Sequence, residues 1–124
     1  MTARTEHPDE FGFIKSNAVN LSPAALEYAR RFGAAVGARR DGPWVVSIDW
    51  VMSVVLRDSP TATPQEVGPC LTLGAYKRHE VPAGFTQMID GFEFAVKIPN
   101  SVLADCAQHL IDVDPALPFK LVLR

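Results

Sequence analysis

The sequence predicts an α+β fold: a mixed, mainly antiparallel, β-sandwich-like sheet carrying two short helices. Three observations predict it. A capped amphipathic helix opens the patterned part of the chain, a long run of alternating apolar residues follows, and an Asp-Gly turn then joins two further runs. The order helix, several strands, helix, strand suits α+β layering and argues against alternating βαβ units.

Residues 1–20 read as a flexible N-terminal arm, with Phe11, Phe13 and Ile14 as the side chains able to dock on the body. Residues 21–124 read as one domain. Ser22 is a good N-cap, and Pro23 suits the first helical position, where its missing donor costs nothing. Ala25, Ala29, Phe32 and Val36 then recur at helical spacing with Leu26 beside them, while Glu27, Arg30 and Arg31 fall off that stripe. Gly37 or the Arg39–Gly42 stretch ends the helix.

From Trp44 to Arg57 the chain alternates with period two. Trp44, Val46, Ile48, Trp50, Met52, Val54 and Leu56 share one face; Ser47, Asp49, Ser53 and Arg57 share the other with Val45, Val51 and Val55. That run is too long for one ordinary strand, so a long bent strand or two strands joined at a bend are expected. Ser59 to Pro69, rich in Pro and Thr, reads as a loop, and Cys70–Leu73 as a short strand. Pro82–Gly84 is a break. Asp90-Gly91 signals a hairpin between Phe85–Ile89 and Phe92–Ile98. Pro99-Asn100-Ser101 caps a second helix over 101–110, with Leu103, Cys106, Ala107 and Leu110 facing inward. Asp112–Pro118 reads as a turn, and Phe119, Leu121 and Leu123 alternate as a final strand.

Composition narrows the function classes. The 124 residues hold 48% hydrophobic residues, enough for a core without disulfides or a structural metal. Twelve Lys+Arg against fourteen Asp+Glu give a net charge of -2, which invites neither nucleic acid nor an anionic membrane. No signal-peptide pattern and no membrane-length apolar run occurs, so a soluble, cytoplasmic protein is expected. No CxxC pair or Cys/His cluster has zinc spacing. Catalytic triads, phosphate-cradling Gly loops and dinucleotide fingerprints are absent, and no enzyme activity is expected.

Part of the chain resembles a known family. Leu21-Ser22-Pro23-Ala24-Ala25 leads into the first helix. Later come Asp90-Gly91-Phe92-Glu93-Phe94-Ala95-Val96-Lys97-Ile98, then Ser101, Leu110-Ile111-Asp112 and Pro118-Phe119-Lys120-Leu121. Over residues 21–58 and 88–124 this is similar to the HesB/IscA group of A-type iron–sulfur carriers, and it implies a HesB-like fold. That family holds its cluster with three cysteines, one in a Gly-Cys-Ser-Gly turn and two in a Cys-Gly-Cys tail. Here the corresponding turn reads Ser47-Ile48-Asp49-Trp50-Val51-Met52, and the chain ends at Arg124 with no such tail. Thiolates are what hold such clusters, so the resemblance implies the fold without the carrier function.

The weak metal-ligand candidates are Cys70, Cys106 and His79. Cys106 fits a small core hydrophobe, Cys70 a core or loop thiol, and a Cys70–Cys106 disulfide stays open. His79-Glu80 beside Tyr76-Lys77-Arg78 could serve as an acid/base pair, but neighbours on an extended segment diverge. His109 suits a helix end. Asp49 and Asp112 could pair as carboxylates, though nothing in the sequence brings them together. Trp44 and Trp50 fall on the apolar face and read as core rather than as a binding patch.

The leading expectation is a non-enzymatic HesB-like domain without iron–sulfur ligands or cofactor, acting through an unknown protein partner, with self-association possible. The alternatives are a metal or iron–sulfur cluster binder using non-standard ligands, and a small-molecule-binding domain.

Overall fold

The computed structural model describes residues 12–14, 19–52, 54–56, 63, 65–117 and 120–124, with the backbone alone at 54–56 and 65–67. Phe11, Ser53, Arg57 and Phe119, assigned above to the arm or to strands, lie outside these residues.

The helix α1 runs Pro23–Arg39 and ends within the expected Gly37 to Gly42 stretch, though at seventeen residues it is not short. Its start is the predicted one: Ser22 caps it by accepting a hydrogen bond from the Ala25 amide at 3.0 Å, and Pro23 sits in the first turn. Ala25, Leu26 and Ala29 are its buried residues. Among the described residues nine strands accompany two α-helices: β1 (Asn20–Leu21), β2 (Trp44–Val51), β3 (Val54–Leu56), β4 (Gln65–Val67), β5 (Cys70–Lys77), β6 (Thr86–Ile89), β7 (Phe92–Lys97), α2 (Asn100–Cys106), β8 (Leu110–Val113) and β9 (Lys120–Leu123).

Seven of these strands form one mixed sheet in the order β1-β8-β9-β5-β2-β7-β6, and β3 and β4 form a separate ribbon. The β1/β8 and β2/β7 pairings are parallel, and the other four pairings in the large sheet are antiparallel. The antiparallel majority is as expected. The sandwich is not: one sheet is backed by a helix.

That sheet is curled, and the chain's own reach requires it. Phe13 bridges antiparallel to Lys97, and the Ile14 amide donates to the Val96 carbonyl at 2.8 Å. β2 already holds the other side of β7, so the arm continues the β6 row at one sheet edge. Six residues later Asn20 pairs with Leu110 at the opposite edge. Six extended steps reach at most about 21 Å, whereas a flat sheet would set those rows about 29 Å apart. The two edges must therefore approach each other, giving a half-barrel.

The inner face of the curl holds the main core. Val19, Ala25, Ile48, Leu71, Phe94, Val96, Ile98, Cys106, Ile111 and Leu121 pack there, with Trp50, Leu73, Tyr28 and Ile14 against them. Each of the fully buried large side chains, such as Phe94 and Ile111, contributes roughly 1.5–3 kcal/mol by leaving water.

Several boundaries differ from the expectation for identifiable reasons. The alternating run breaks into β2 and β3, the two-strand alternative expected above, but Met52 at the break is 66% exposed and not part of the apolar face. The expected loop over 59–69 contains β4, whose backbone groups pair with β3. β5 extends to Lys77 because β2 pairs with it along its whole length. α2 stops at Cys106 rather than near 110. The amides of Gln108 and His109 turn back onto the Asp105 and Cys106 carbonyls, and Leu110 is taken up by backbone bonds with Arg124. Asp112 and Val113, assigned above to a turn, therefore continue β8. Ala107 and Leu110 end up exposed, while Cys106 is buried as expected. The hairpin signal at Asp90-Gly91 is met in full, with φ of 49° and 80° at the two turn residues, as a type I′ turn needs.

Candidate functional site

The face of the sheet turned away from α1 is where the structure departs most from the alternation. On that face of β2 stand Val45, Ser47, Asp49 and Val51, the side expected to be polar. It is not solvated. Ser47 is fully buried, Val45 is 2% exposed, and Asp49 is half-buried. A second, smaller core of Val45, Val81 and Ala95 lies here, covered by Phe13, Tyr76 and Phe85.

Register explains which side chains meet. Ser47 lies opposite Gly74 on β5 and Ala95 on β7; Asp49 lies opposite Thr72 and Lys97. Small neighbours flank Ser47, and a cationic one flanks Asp49. Tyr76, one period further along β5 from Gly74, donates its hydroxyl to Asp49 Oδ2 at 3.3 Å. Phe13 from the arm meets the Tyr76 ring edge-on, with centroids 5.2 Å apart. The Lys97 ammonium sits 5.5 Å from the Phe13 centroid and 5.1 Å from that of Tyr76, within cation–π range of both.

Gly74 makes this arrangement possible. A Cβ there would fall 2.2 Å from Asp49 Oδ2 and 3.0 Å from Ser47 Oγ, so both polar groups occupy the space of a missing side chain. Burial raises the Asp49 carboxyl above its ordinary range, against the opposing pull of the Ser47 and Tyr76 hydroxyls and of Lys97. The Tyr76 hydroxyl is pushed up to about 12, by burial first and then by the Asp49 charge. The Ser47 hydroxyl is near enough to favour an ionised Asp49, yet no hydrogen bond of normal geometry joins them. Ser47 Oγ and Asp49 Oδ1 are both buried without a hydrogen-bond partner among the described residues. Beside them opens a cleft of about 200 Å³ lined by Asp49, Trp50, Val51, Tyr76 and Lys97.

The residues singled out from the sequence fall elsewhere. Cys70 and Cys106 are both buried, unpaired thiols. Burial raises both, Cys106 to about 11, which suits inert packing. Cys70 opens β5, Cys106 closes α2, and His79 lies in a 3-10 turn (Arg78–Glu80) beyond the far end of β5. Among the described residues no three His, Cys, Asp or Glu side chains come together as metal ligands. His79 and Glu80 diverge, though on a helical turn and not an extended segment, and Glu80 instead accepts from the Lys77 amide at 2.8 Å. His109 donates from Nδ1 to the Asp105 carbonyl at the end of α2. Asp49 and Asp112 are three strands apart. Asp112 serves the fold, accepting from Ser22 Oγ at 2.5 Å, Arg124 Nε at 2.8 Å and the Val113 amide at 2.8 Å.

Trp50 packs on the core as expected, whereas Trp44 does not. Its indole N–H reaches the Asp41 carbonyl at 3.0 Å, and Arg40 and Lys77 approach its ring in partly open surroundings.

Compared with family models, curated proteins and solved structures, the chain matches none. The functional reading therefore rests on its own residues. Of the Ser47–Asp49–Gly74–Tyr76–Lys97 constellation, the sequence offered one usable signal: valines alternating with Ser47 and Asp49 on the nominally polar side, a pattern of a strand buried on both faces.

Proposed function

We propose that this chain is a non-enzymatic binding domain, HesB-like in fold and without iron–sulfur ligands, that works through contact with another protein in a reducing, cytoplasmic setting. The observation that carries this reading is the edge strand of the sheet. Among the described residues β6, Thr86-Gln87-Met88-Ile89, is the terminal strand of the sheet and has β7 as its strand neighbour. Edge strands are ordinarily blunted by charge, proline or a bulge, and β6 has no charged residue and no proline. Its Met88 side chain is 60% exposed. An extended segment of a partner can add there as a further strand, with backbone bonds giving affinity and Met88 giving a soft apolar anchor. The two inert thiols and the scattered Cys70, Cys106 and His79 support a role other than cluster transfer.

The test is selection of extended peptides from a display library against the purified chain, followed by hydrogen exchange on the complex. Selected peptides should protect the β6 amides and lose affinity on Met88→Lys and on Thr86→Pro. Sedimentation of the free chain separates a second copy from a foreign partner. Peptides that bind both variants unchanged, or that protect only residues outside β6, would sink the proposal.

A further inference from the structure

The cleft beside Asp49 carries an inference independent of the β6 edge. Asp49 and Lys97 are cross-strand partners of opposite charge on one face, the arrangement in which a direct ion pair is the ordinary outcome. They do not form one. The ion pairs among the described residues are Arg31–Glu27, Arg78–Glu93 and Arg124–Asp112. The Lys97 ammonium is drawn over Phe13 and Tyr76, and the carboxylate occupies the space over Gly74. Both charges line the same cleft.

That cleft is asymmetric in what it lacks. Asp49 Oδ2 receives the Tyr76 hydroxyl, while Oδ1 has no partner among the described residues, nor has the neighbouring Ser47 Oγ, which is fully buried and does not line the cleft. A buried acceptor left unmatched weakens the fold, more so when it is charged. The Lys97 ammonium has three donors and, beyond the two rings, no acceptor among the described residues. A simple anion would face the Asp49 carboxylate, and a simple cation would face Lys97. A single molecule bearing both charges satisfies both. At about 200 Å³ the cleft is smaller than the roughly 300–1,000 Å³ of sites for drug-sized ligands, so the molecule has few heavy atoms.

We propose that this cleft binds a small zwitterion of the free α-amino acid class, with Lys97 taking the carboxylate and Asp49 the ammonium group. The terminal torsion of an aspartate is soft, so a partial turn about it brings Oδ1 towards the ligand. Trp50, next to Asp49 on β2, also lines the cleft, and its fluorescence reports changes there.

The experiment titrates the whole chain with each common free α-amino acid, followed by calorimetry and by Trp50 fluorescence in a Trp44→Phe background. At least one amino acid binds, and its carboxamide and N-acetyl derivatives, each lacking one charge, bind roughly 10- to 100-fold more weakly, as expected for loss of a hydrogen bond to a charged group. Asp49→Asn and Lys97→Met each reduce affinity by a similar factor. Both variants keep the side-chain size, and far-UV circular dichroism confirms that they fold. Absence of binding by any free amino acid overturns the proposal. So does a binder held unchanged by both variants, or one bound equally well as its carboxamide.

Discussion

Replacing Gly74 by alanine tests the outer-face site through a single methyl group. The added Cβ would stand 2.2 Å from Asp49 Oδ2 and 3.1 Å from Asp49 Cγ, closer than real contacts allow, so the carboxylate must move. Moving it breaks the Tyr76 hydroxyl's bond to Oδ2. The loss of that charge-assisted bond, about 1.5 kcal/mol, adds to an overpacking cost of about 1–3 kcal/mol. Against this stands a gain of roughly 0.4–1 kcal/mol from the stiffer unfolded chain, available because Gly74 has no positive φ. The net expectation is destabilisation by about 3 kcal/mol. With an unfolding entropy of about 0.26 kcal/mol/K for a chain of this length, Tm falls by about 11 °C.

A double-mutant cycle with Asp49→Ala isolates the cause. In that background the oxygen that collides is gone, so Gly74→Ala becomes neutral or stabilising. Urea unfolding followed by tryptophan fluorescence on the four proteins gives the coupling directly. Equal destabilisation in both backgrounds would refute the view that Gly74 exists to seat Asp49.

Further expectations follow from the same geometry. The folded Asp49 carboxyl holds its proton more readily than its ordinary value of 3.8. Between that value and the raised one the native state therefore carries more protons, and this group's contribution to stability falls as pH rises through the window and stays lost above it. Asp49→Asn should thus stabilise the chain near neutrality, and the gain should vanish on acidification; a gain that grows towards acid would contradict the assignment. Asp112 and Glu93, both lowered by hydrogen-bonded partners, act with the opposite sign, their stabilisation fading as pH falls below about their ordinary values of 3.8 and 4.5. Ser22→Ala removes the α1 cap and one partner of Asp112, and should cost about 1–2 kcal/mol in urea unfolding. Cys70 and Cys106, buried and raised, should both resist an aromatic disulfide reagent in the native chain and react at once in denaturant.

How far the sequence could be read follows from which forces acted locally. The α1 start, the Asp90-Gly91 hairpin and the strand content from Trp44 onwards depend on a cap, a turn and an alternation, each contained within a few residues. What could not be read was set at long range. The end of α2 was decided by Arg124 claiming Leu110, and the single curled sheet by an arm that reaches one edge at Ile14 and the other at Asn20. The site suffered most. In the sequence Tyr76 heads a polar cluster with His79 and Glu80, whereas β2 pairing draws it inward onto Asp49. Lys97 and Phe13 meet only because the arm lies along β7.

The outer face as a whole argues that its polar group is there for a purpose beyond folding. Val45, Val81 and Ala95 show that this surface can be closed with apolar side chains, and Phe13 and Phe85 close it. A valine at 49 and a serine-free position at 47 would extend that core without an unmatched oxygen, and burying a charge beside well-packed residues is rarely the stable choice. Yet Ser47, Asp49, Tyr76 and Lys97 stand together on three strands, and Gly74 leaves out a side chain so that two of them fit. Local rules broken in concert, at a cost to the fold, are what a binding site looks like from the side of stability.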